Sequence, residues 1–592
     1  MSKKRLLVLV CLIASLLPAC SSTDRDPPRQ VIMILLDAAR SDRFSAYGYE
    51  HPTTPVMDEL AAAGVVFEQH YAQDTATRMS VPSYLYSRYF VAPIFPNSAH
   101  VPFSHPDNLF QRPDDEAISF VRAFEEAGFL TAAISAHNWT GEDTPFAEEF
   151  IETHSTSARI GAGKQGYTLA EKVIDYTIDW IDENREHDFF LYVHLMDTHF
   201  PHYFDGEAQT LFGASTYNAS SFKNNGWPKD LRSPLSAEDR RYLDAMYDGS
   251  LRYADGQIGR LVEHLRKRGL ERTAIAITSD HGENLLEGPG RYEEDGASIL
   301  THGGPWYEPV ARIPFILYDP SRLQPARYAG PTEGVDVGPT LLALGGVPVP
   351  LGKRFDGVDL LEVLDGQAEP KPHALYNHGI RSGRYKCLFD EPEALLGEQP
   401  IDPEKLTGRL FDLEEDPGER VNLFEDRRDL VEQLASEYRE ALKAPYDRFV
   451  AARSGEQPRS AFAISAKHLS SESSWRPVRV GINDCLSNEP GDEPLEIEIP
   501  MPDGPYDLTL KLRGEAVVEV ADQRQAVQGD FREMPRFGAI AVEGETFRAT
   551  VTPQGEAATT LCFLGFTPPV SEVDAAAQEA RLQRLRTLGY VQ

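Results

Sequence analysis

Positive charge is scarce in this chain. Against 92 aspartates and glutamates stand 58 lysines and arginines, a net charge of -34 over 592 residues. That excess repels nucleic acid and anionic lipid at long range, so no nucleic acid is expected as a partner. Cysteine is rarer still, with five in the whole sequence. Cys11 and Cys20 fall in the amino-terminal segment, which leaves Cys387, Cys485 and Cys562, so one disulfide is the maximum. Cys485 with Cys562 is favoured because both lie in one C-terminal segment; unpaired buried thiols are the alternative. The amino-terminal apolar run, Leu6 to Leu17, is too short for an ordinary spanning helix. No internal repeat is present. With 41% hydrophobic residues, the composition instead fits a globular chain of several domains with a sizeable core.

The apolar run follows Lys3, Lys4 and Arg5 and ends in Pro18-Ala19-Cys20. This is the layout of a secretory signal ending in a lipobox, with residues 1–19 as the signal and Cys20 as the lipid-modified first residue of a bacterial lipoprotein. A plain signal peptide or short anchor is the alternative. Ser21, rather than Asp, follows the cysteine; by resemblance to Gram-negative lipoproteins, the expected location is the cell envelope, at the outer membrane. Residues 20–30 read as a solvated tether.

From there, buried runs alternate with amphipathic helices. "QVIMILLD" stops at Asp37, "DFFLYVHLMDTHFPH" ends at Asp197, His199 and His202, and "TAIAITSDHGE" ends at Asp280 and His281. Continuous apolar runs are strands buried on both faces. Thr54 and Pro55 open one helix, and "SAED" at Ser236 fits a capping box for another. Alternation of this kind implies an α/β fold with a parallel sheet covered on both faces, and ligands bind such sheets at the carboxyl ends of the strands. All three polar clusters fall there. The expected division is a catalytic domain over 31–370, a small α+β subdomain over 371–455, an all-β, sandwich-like module over 456–570, and a final helix over 571–592 packing on the core.

Taken one at a time, an aspartate at a strand end is an ordinary helix cap, and Ser80 in "ATRMSVPSYLYSR" is an ordinary turn residue. Taken together they make a single-metal hydrolytic site, which needs carboxylates at neighbouring strand tips and a nucleophile carried in on a loop. Asp37, Asp280 and His281 supply three metal ligands and Ser80 Oγ the fourth.

In order along the chain, "LLDAARSDRFSAYGY", "TTPVMDELAAAGVVFEQHYA", "LYVHLMDTHFPH", "TSDHGE", "THGGPWYEPVARIPFIL", "GVDVGPTLLALGGVPVP" and "LFDLEEDPGERVNL" resemble the sulfatase branch of the alkaline phosphatase superfamily. The likeness spans roughly residues 31–450 and the last dozen. It implies a metal-bound nucleophile at Ser80, either formylglycine made from the serine or the serine itself. It also implies one divalent metal ion, Ca²⁺ by family, with Mn²⁺ or Zn²⁺ suited to the histidine nitrogen. His199 and His302 would assist the leaving group, and Arg40 with Asp42 matches a family pair.

Three departures bear on which ester is cut. Tyr84 stands where the formylglycine signature has an arginine, Ala38 replaces one strand-end aspartate, and "AHNW" puts His137 or Asn138 near the place of a family lysine. The implied activity is hydrolysis of sulfate esters on a sulfated small molecule or glycan, with membrane attachment through Cys20. Two rivals stand beside it. One is a phosphomonoesterase or phosphodiesterase using unmodified Ser80, acting on phosphorylated substrates, with a second metal sought around Asp197, His199, His202 and His302. The other is a catalytically weakened surface-binding lipoprotein.

Overall fold

The computed structural model describes residues 29–567 apart from intervening segments, the longest being 90–117, 215–235 and 286–301. The proposed signal 1–19, the lipidation site Cys20 and the final helix 571–592 lie outside the described residues.

The core is a nine-stranded sheet: β1 (Gln30–Leu36), β2 (Val65–Tyr71), β3 (Leu130–Ser135), β4 (Glu152–Ser155), β5 (Phe189–Leu195), β6 (Thr273–Thr278), β7 (Arg312–Ile313), β8 (Phe315–Tyr318) and β9 (Ala326–Glu333). Its order is β4-β3-β5-β1-β6-β8-β2-β7, with β9 also on β2. β1 is buried at every position, as its apolar run requires, and lies parallel between β5 and β6. The sheet is mainly parallel but mixed, because β8 runs antiparallel to both β6 and β2. The chain leaves β6 at the carboxyl edge and re-enters β7 and β8 from that same edge, and an antiparallel return needs no crossover helix. β7 and β8 both pair with β2; Pro314, which has no N–H for the ladder, separates them.

Alternate side chains of β1 feed the two faces. Val31, Met33 and Leu35 pack with Tyr84, Phe120, Phe124 and Leu341 on one side. Ile32, Ile34 and Leu36 pack with Met57, Leu60, Val173 and Ile258 on the other. The first face is thus covered by helices α2 (Thr77–Tyr86), α3 (Phe120–Glu126) and α6 (Val337–Gly345), and the second by α1 (Pro55–Ala63), α4 (Ala170–Asn184) and α5 (Ala237–Arg268). Each fully buried side chain of this size contributes about 1.5–3 kcal/mol. The capping box of α5 forms as expected, with Ser236 N donating to Asp239 Oδ2 at 3.0 Å and Asp239 N to Ser236 Oγ at 3.1 Å. Thr54 does not cap α1. Its hydroxyl turns to Asp58 at 2.9 Å, and the first helical N–H groups, of Val56 and Met57, donate to Asp255 of α5 instead.

A second sheet, β10 (His373–Tyr376), β11 (Gly379–Ser382), β12 (Tyr385–Phe389) and β13 (Gly408–Asp412), is antiparallel and packs against α7 (Arg428–Arg453). A third sheet holds nine strands between 462 and 567. Its centre is one 17-residue strand, Gly504–Val520, which the sequence reads as two because Gly514 interrupts the alternation. Gly514 takes φ +109°, and the strand continues through it to new partners.

Candidate active site

Strands β1 and β6 are parallel neighbours in a register that pairs Leu35 with Thr278. Two residues beyond each lie Asp37 and Asp280, so both carboxylates emerge at the same height of the carboxyl edge. Asp37, Asp280 and His281 are fully buried, and each offers one ligand atom within 4.8 Å of the others. His281 Nε2 stands 3.4 Å from Asp280 Oδ2 and 3.9 Å from Asp37 Oδ1. Those two oxygens have no hydrogen-bond partner among the described residues. A buried carboxylate oxygen left unpaired is costly unless a cation meets it. The triad therefore fits a metal ion held by Asp37, Asp280 and His281. It is the one group of at least three such side chains found among the described residues.

The turn after β1 is strained to present this edge. Ala38 adopts φ +60°, a left-handed conformation that costs a non-glycine residue free energy. It is clamped from both sides: its N–H donates to Asp280 Oδ1 at 3.3 Å, and its carbonyl accepts from Tyr247 Oη at 2.9 Å.

The hydroxyl that meets the triad belongs to Thr77, not Ser80. Thr77 opens helix α2, and its Oγ1 lies 3.2 Å from His281 Nε2. Ser80, one turn later, donates its Oγ to the carbonyl of Asp74 at 2.7 Å and accepts from the N–H of Asp74 at 3.2 Å. It braces the loop that leads into the helix. Both hydrogen bonds of the Ser80 hydroxyl go to the backbone of Asp74, so the residue expected as nucleophile, formylglycine precursor and fourth metal ligand makes no hydrogen bond to the triad among the described residues, whereas Thr77 does. Pro82 and Ser83, expected to shape a presenting turn, are interior to the helix, and Ser83 Oγ back-bonds to Met79 O at 2.9 Å. Thr77 at the first helical position meets the requirement better, since unpaired N–H groups there favour an anion.

The histidines expected nearby do converge. His302 lies over His281 with ring centroids 4.1 Å apart, and His199 meets His302 edge-on at 4.7 Å. Glu283 Oε1 stands 3.3 Å from His302 Nδ1, while Glu283 Oε2 accepts from Phe200 N at 3.0 Å, which ties both loops together. Burial pushes the Glu283 carboxyl up, but His302, His199 and His202 together bring it down to about 2. Arg40 does not reach toward the triad as a pair for Asp37. Its guanidinium forks onto Asp42 at 2.9 and 2.6 Å and donates to the carbonyl of Glu283 at 3.3 Å. Glu308 is structural, paired with Lys386 at 3.0 Å.

Asp197 is buried and accepts from Ala170 N at the start of α4, and burial pushes it up to about 7. Among the described residues it belongs to no group of metal-ligating side chains. His137 fills the place near the absent lysine with its Nε2 3.8 Å from Asp37 Oδ2; burial, working against the attraction of Asp37, brings its imidazole down to about 3. Asn138 lies outside the described residues. Burial raises the Asp37 carboxyl, yet His199, His194 and His137 together hold it well below the ordinary carboxylate range. Of these residues, sequence reasoning passed over Thr77 and His194. For Thr77 the available signal was a hydroxyl just after the loop residues Asp74 and Thr75, three places ahead of a Ser-x-Pro-Ser that looked like the better match.

The sulfatase family model matches residues 29–347, more than half of the chain. Arylsulfatase A of Bos taurus is 24% identical over 482 residues, covering 70% of this chain and 86% of its own. The arylsulfatase of Clostridium perfringens is 24% identical, with 67% and 90% covered. Choline-sulfatase of Rhizobium meliloti is 30% identical over 225 residues, 36% of this chain and 39% of its own. Among solved structures, the phosphonate monoester hydrolase of Agrobacterium radiobacter superposes with a TM-score of 0.52 at 19% identity, over 71% of this chain and 96% of that one. At such identity the likeness speaks for the fold. With strand-end carboxylates, a histidine and a helix-start hydroxyl at the edge of a mainly parallel sheet, this chain belongs to the sulfatase family of the alkaline phosphatase superfamily.

Proposed function

We propose that the protein hydrolyses anionic esters in a metal-dependent reaction with the hydroxyl of Thr77 as nucleophile, phosphorus esters ahead of sulfate esters. The observation that carries this is Thr77 Oγ1 at 3.2 Å from His281 Nε2, beside two buried carboxylate oxygens with no other partner. Bound to Asp37, Asp280, His281 and Thr77, a divalent ion would lower the pKa of the hydroxyl and offset charge on the ester oxygens. One nitrogen with few oxygens suits Mn²⁺ or Zn²⁺ better than Ca²⁺, which takes six to eight oxygens. Ala38 adds no carboxylate, and its carbonyl already serves Tyr247.

Threonine decides between ester classes. Formylglycine is an aldehyde, made from a side chain whose β-carbon carries only hydrogens and the reacting heteroatom. The β-carbon of Thr77 also carries a methyl group, so no aldehyde hydrate is available to expel sulfate by breaking a carbon–oxygen bond. An unmodified Thr77 Oγ1 releases its proton to solvent and forms a bond to phosphorus or sulfur while the bond to the leaving oxygen breaks, and the leaving oxygen gains a proton. Water then attacks the same centre and frees Thr77. With its Nδ1 engaged by Glu283, His302 would exchange that proton at Nε2, with His199 against its ring. The sulfate reading rests on the relatives named arylsulfatase and choline-sulfatase.

Turnover of 4-nitrophenyl phosphate, bis(4-nitrophenyl) phosphate and 4-nitrophenyl sulfate tests both parts. Thr77→Ala is expected to abolish turnover, while Ser80→Ala keeps it within about tenfold, the effect of losing one or two hydrogen bonds. The reverse pattern would overturn the assignment of the nucleophile, and faster wild-type turnover of the sulfate would reverse the ranking of esters. The amino-terminal sequence supports a lipid on Cys20 and a place at the bacterial cell envelope, on the outer membrane. Cys20→Ser should release the protein from membranes, and a variant that remains bound there would refute the anchor.

A further inference from the structure

The carboxylate of Asp37 is gripped at one oxygen only. Its Oδ2 lies 3.0 Å from His194 Nε2, whereas Oδ1 has no hydrogen-bond partner among the described residues and faces His281. His194 sits on β5, fully buried, and its Nδ1 lies 2.9 Å from the hydroxyl of Tyr192, two residues earlier on the same face of the strand. An ionised carboxylate only accepts. Nε2 of His194 therefore carries a proton and donates it to Asp37, while Nδ1 shares a hydrogen bond with the Tyr192 hydroxyl behind the ring. Hydrogen bonds thus link Tyr192, His194 and Asp37 in series. His137 stacks on His194 with ring centroids 5.2 Å apart and planes at 13°, closing the other side of the imidazole. Thr198 Oγ1 holds the carbonyl of Asp37 at 2.6 Å.

We propose that His194 is a positioning residue for the metal: with Tyr192 behind it, it holds one oxygen of Asp37 so that the other is presented to the cation in a fixed rotamer. The inference rests on the reading of Asp37, Asp280 and His281 as metal ligands. Its physical basis is that groups orienting a ligand from behind set affinity almost as strongly as the ligand itself, because a swivelling carboxylate loses rotamer freedom when it binds.

Titration of each protein with Mn²⁺, followed by the electron paramagnetic resonance of the free ion, reads affinity without any substrate. His194→Ala is expected to bind Mn²⁺ about 10- to 100-fold more weakly. His194→Gln, whose side-chain amide can still donate toward Asp37, should recover most of that loss. Tyr192→Phe is expected to weaken binding roughly fivefold, the loss of one hydrogen bond of about 1 kcal/mol. Thermal melting in chelator reports whether each variant is folded. Folded His194→Ala or Tyr192→Phe binding Mn²⁺ as tightly as wild type overturns the proposal, and if His194→Ala fails to fold, Tyr192→Phe decides. A wild-type protein that binds neither Mn²⁺ nor Zn²⁺ overturns the metal reading itself, an outcome distinct from variants that bind as well as wild type.

Discussion

At the carboxyl edge of the core sheet, Asp37 Oδ1 and Asp280 Oδ2 are buried without hydrogen bonds, and Ala38 is held at φ +60° between them. In the sheet between 462 and 567, no buried polar side-chain atom among the described residues lacks a partner. Its core is an apolar set including Leu508, Leu510, Leu512, Val518 and Val551, and its charged residues pair across strands at the surface, as Arg548 does with Glu498 at 2.6 Å. The two regions separate what a fold needs from what a reaction needs. Apolar packing with satisfied polar groups is sufficient for a stable sheet. At the carboxyl edge the unpaired buried carboxylate oxygens are costly on their own, and they fit a metal ion held by the triad.

The contrast breaks most sharply at Asp280. Asp280→Ala is expected to remove bound metal and to lower turnover by at least about a thousandfold, since one ligand and one buried charge are lost together. It should also erase the rise in melting temperature that metal gives the wild type. Stoichiometric metal by elemental analysis in that variant would dissolve the distinction between the regions. Leu510→Ala, in the C-terminal sheet, makes the opposite test. It should destabilise that region by about 2–5 kcal/mol, seen as an earlier unfolding step, and leave the turnover of folded protein unchanged. Altered kcat at unchanged metal content would couple the module to the site.

Asp197 gives a smaller effect with a definite sign. Burial raises its carboxyl to about 7 in the folded state, against about 3.9 in an unfolded chain. Between those values the native protein holds a proton that the unfolded chain has released, so the contribution of Asp197 to stability falls as pH rises from about 4 to about 7. Asp197→Asn should flatten the stability profile in that window by up to roughly 1.4 kcal/mol per pH unit, measured by urea unfolding across pH. A variant with the wild-type slope would place the titration elsewhere.

The elements of the core were largely legible. Six consecutive apolar residues, Val31 to Leu36, that stop at a polar residue fit a strand buried on both sides, and β1 is buried throughout. The strand ends, and with them Asp37, Asp280 and His281, follow from where those runs stop. The Cys485–Cys562 pairing stays an expectation. Its side chains lie outside those described.

What the sequence by itself determined is the set of alternating buried strands and the polar residues at their tips, because burial pattern and chain direction are written locally in residue order. Only the tertiary structure decided which hydroxyl reaches the triad. Thr77 and Ser80 share one helix, three residues apart, and both offer an oxygen. Their roles separate because the helix starts at the edge where β1 and β6 end, so its first residue meets His281 while the next turn folds back on Asp74. The same holds for His194, whose partner Asp37 is 157 residues away and becomes a neighbour only through the parallel pairing of β1 with β5.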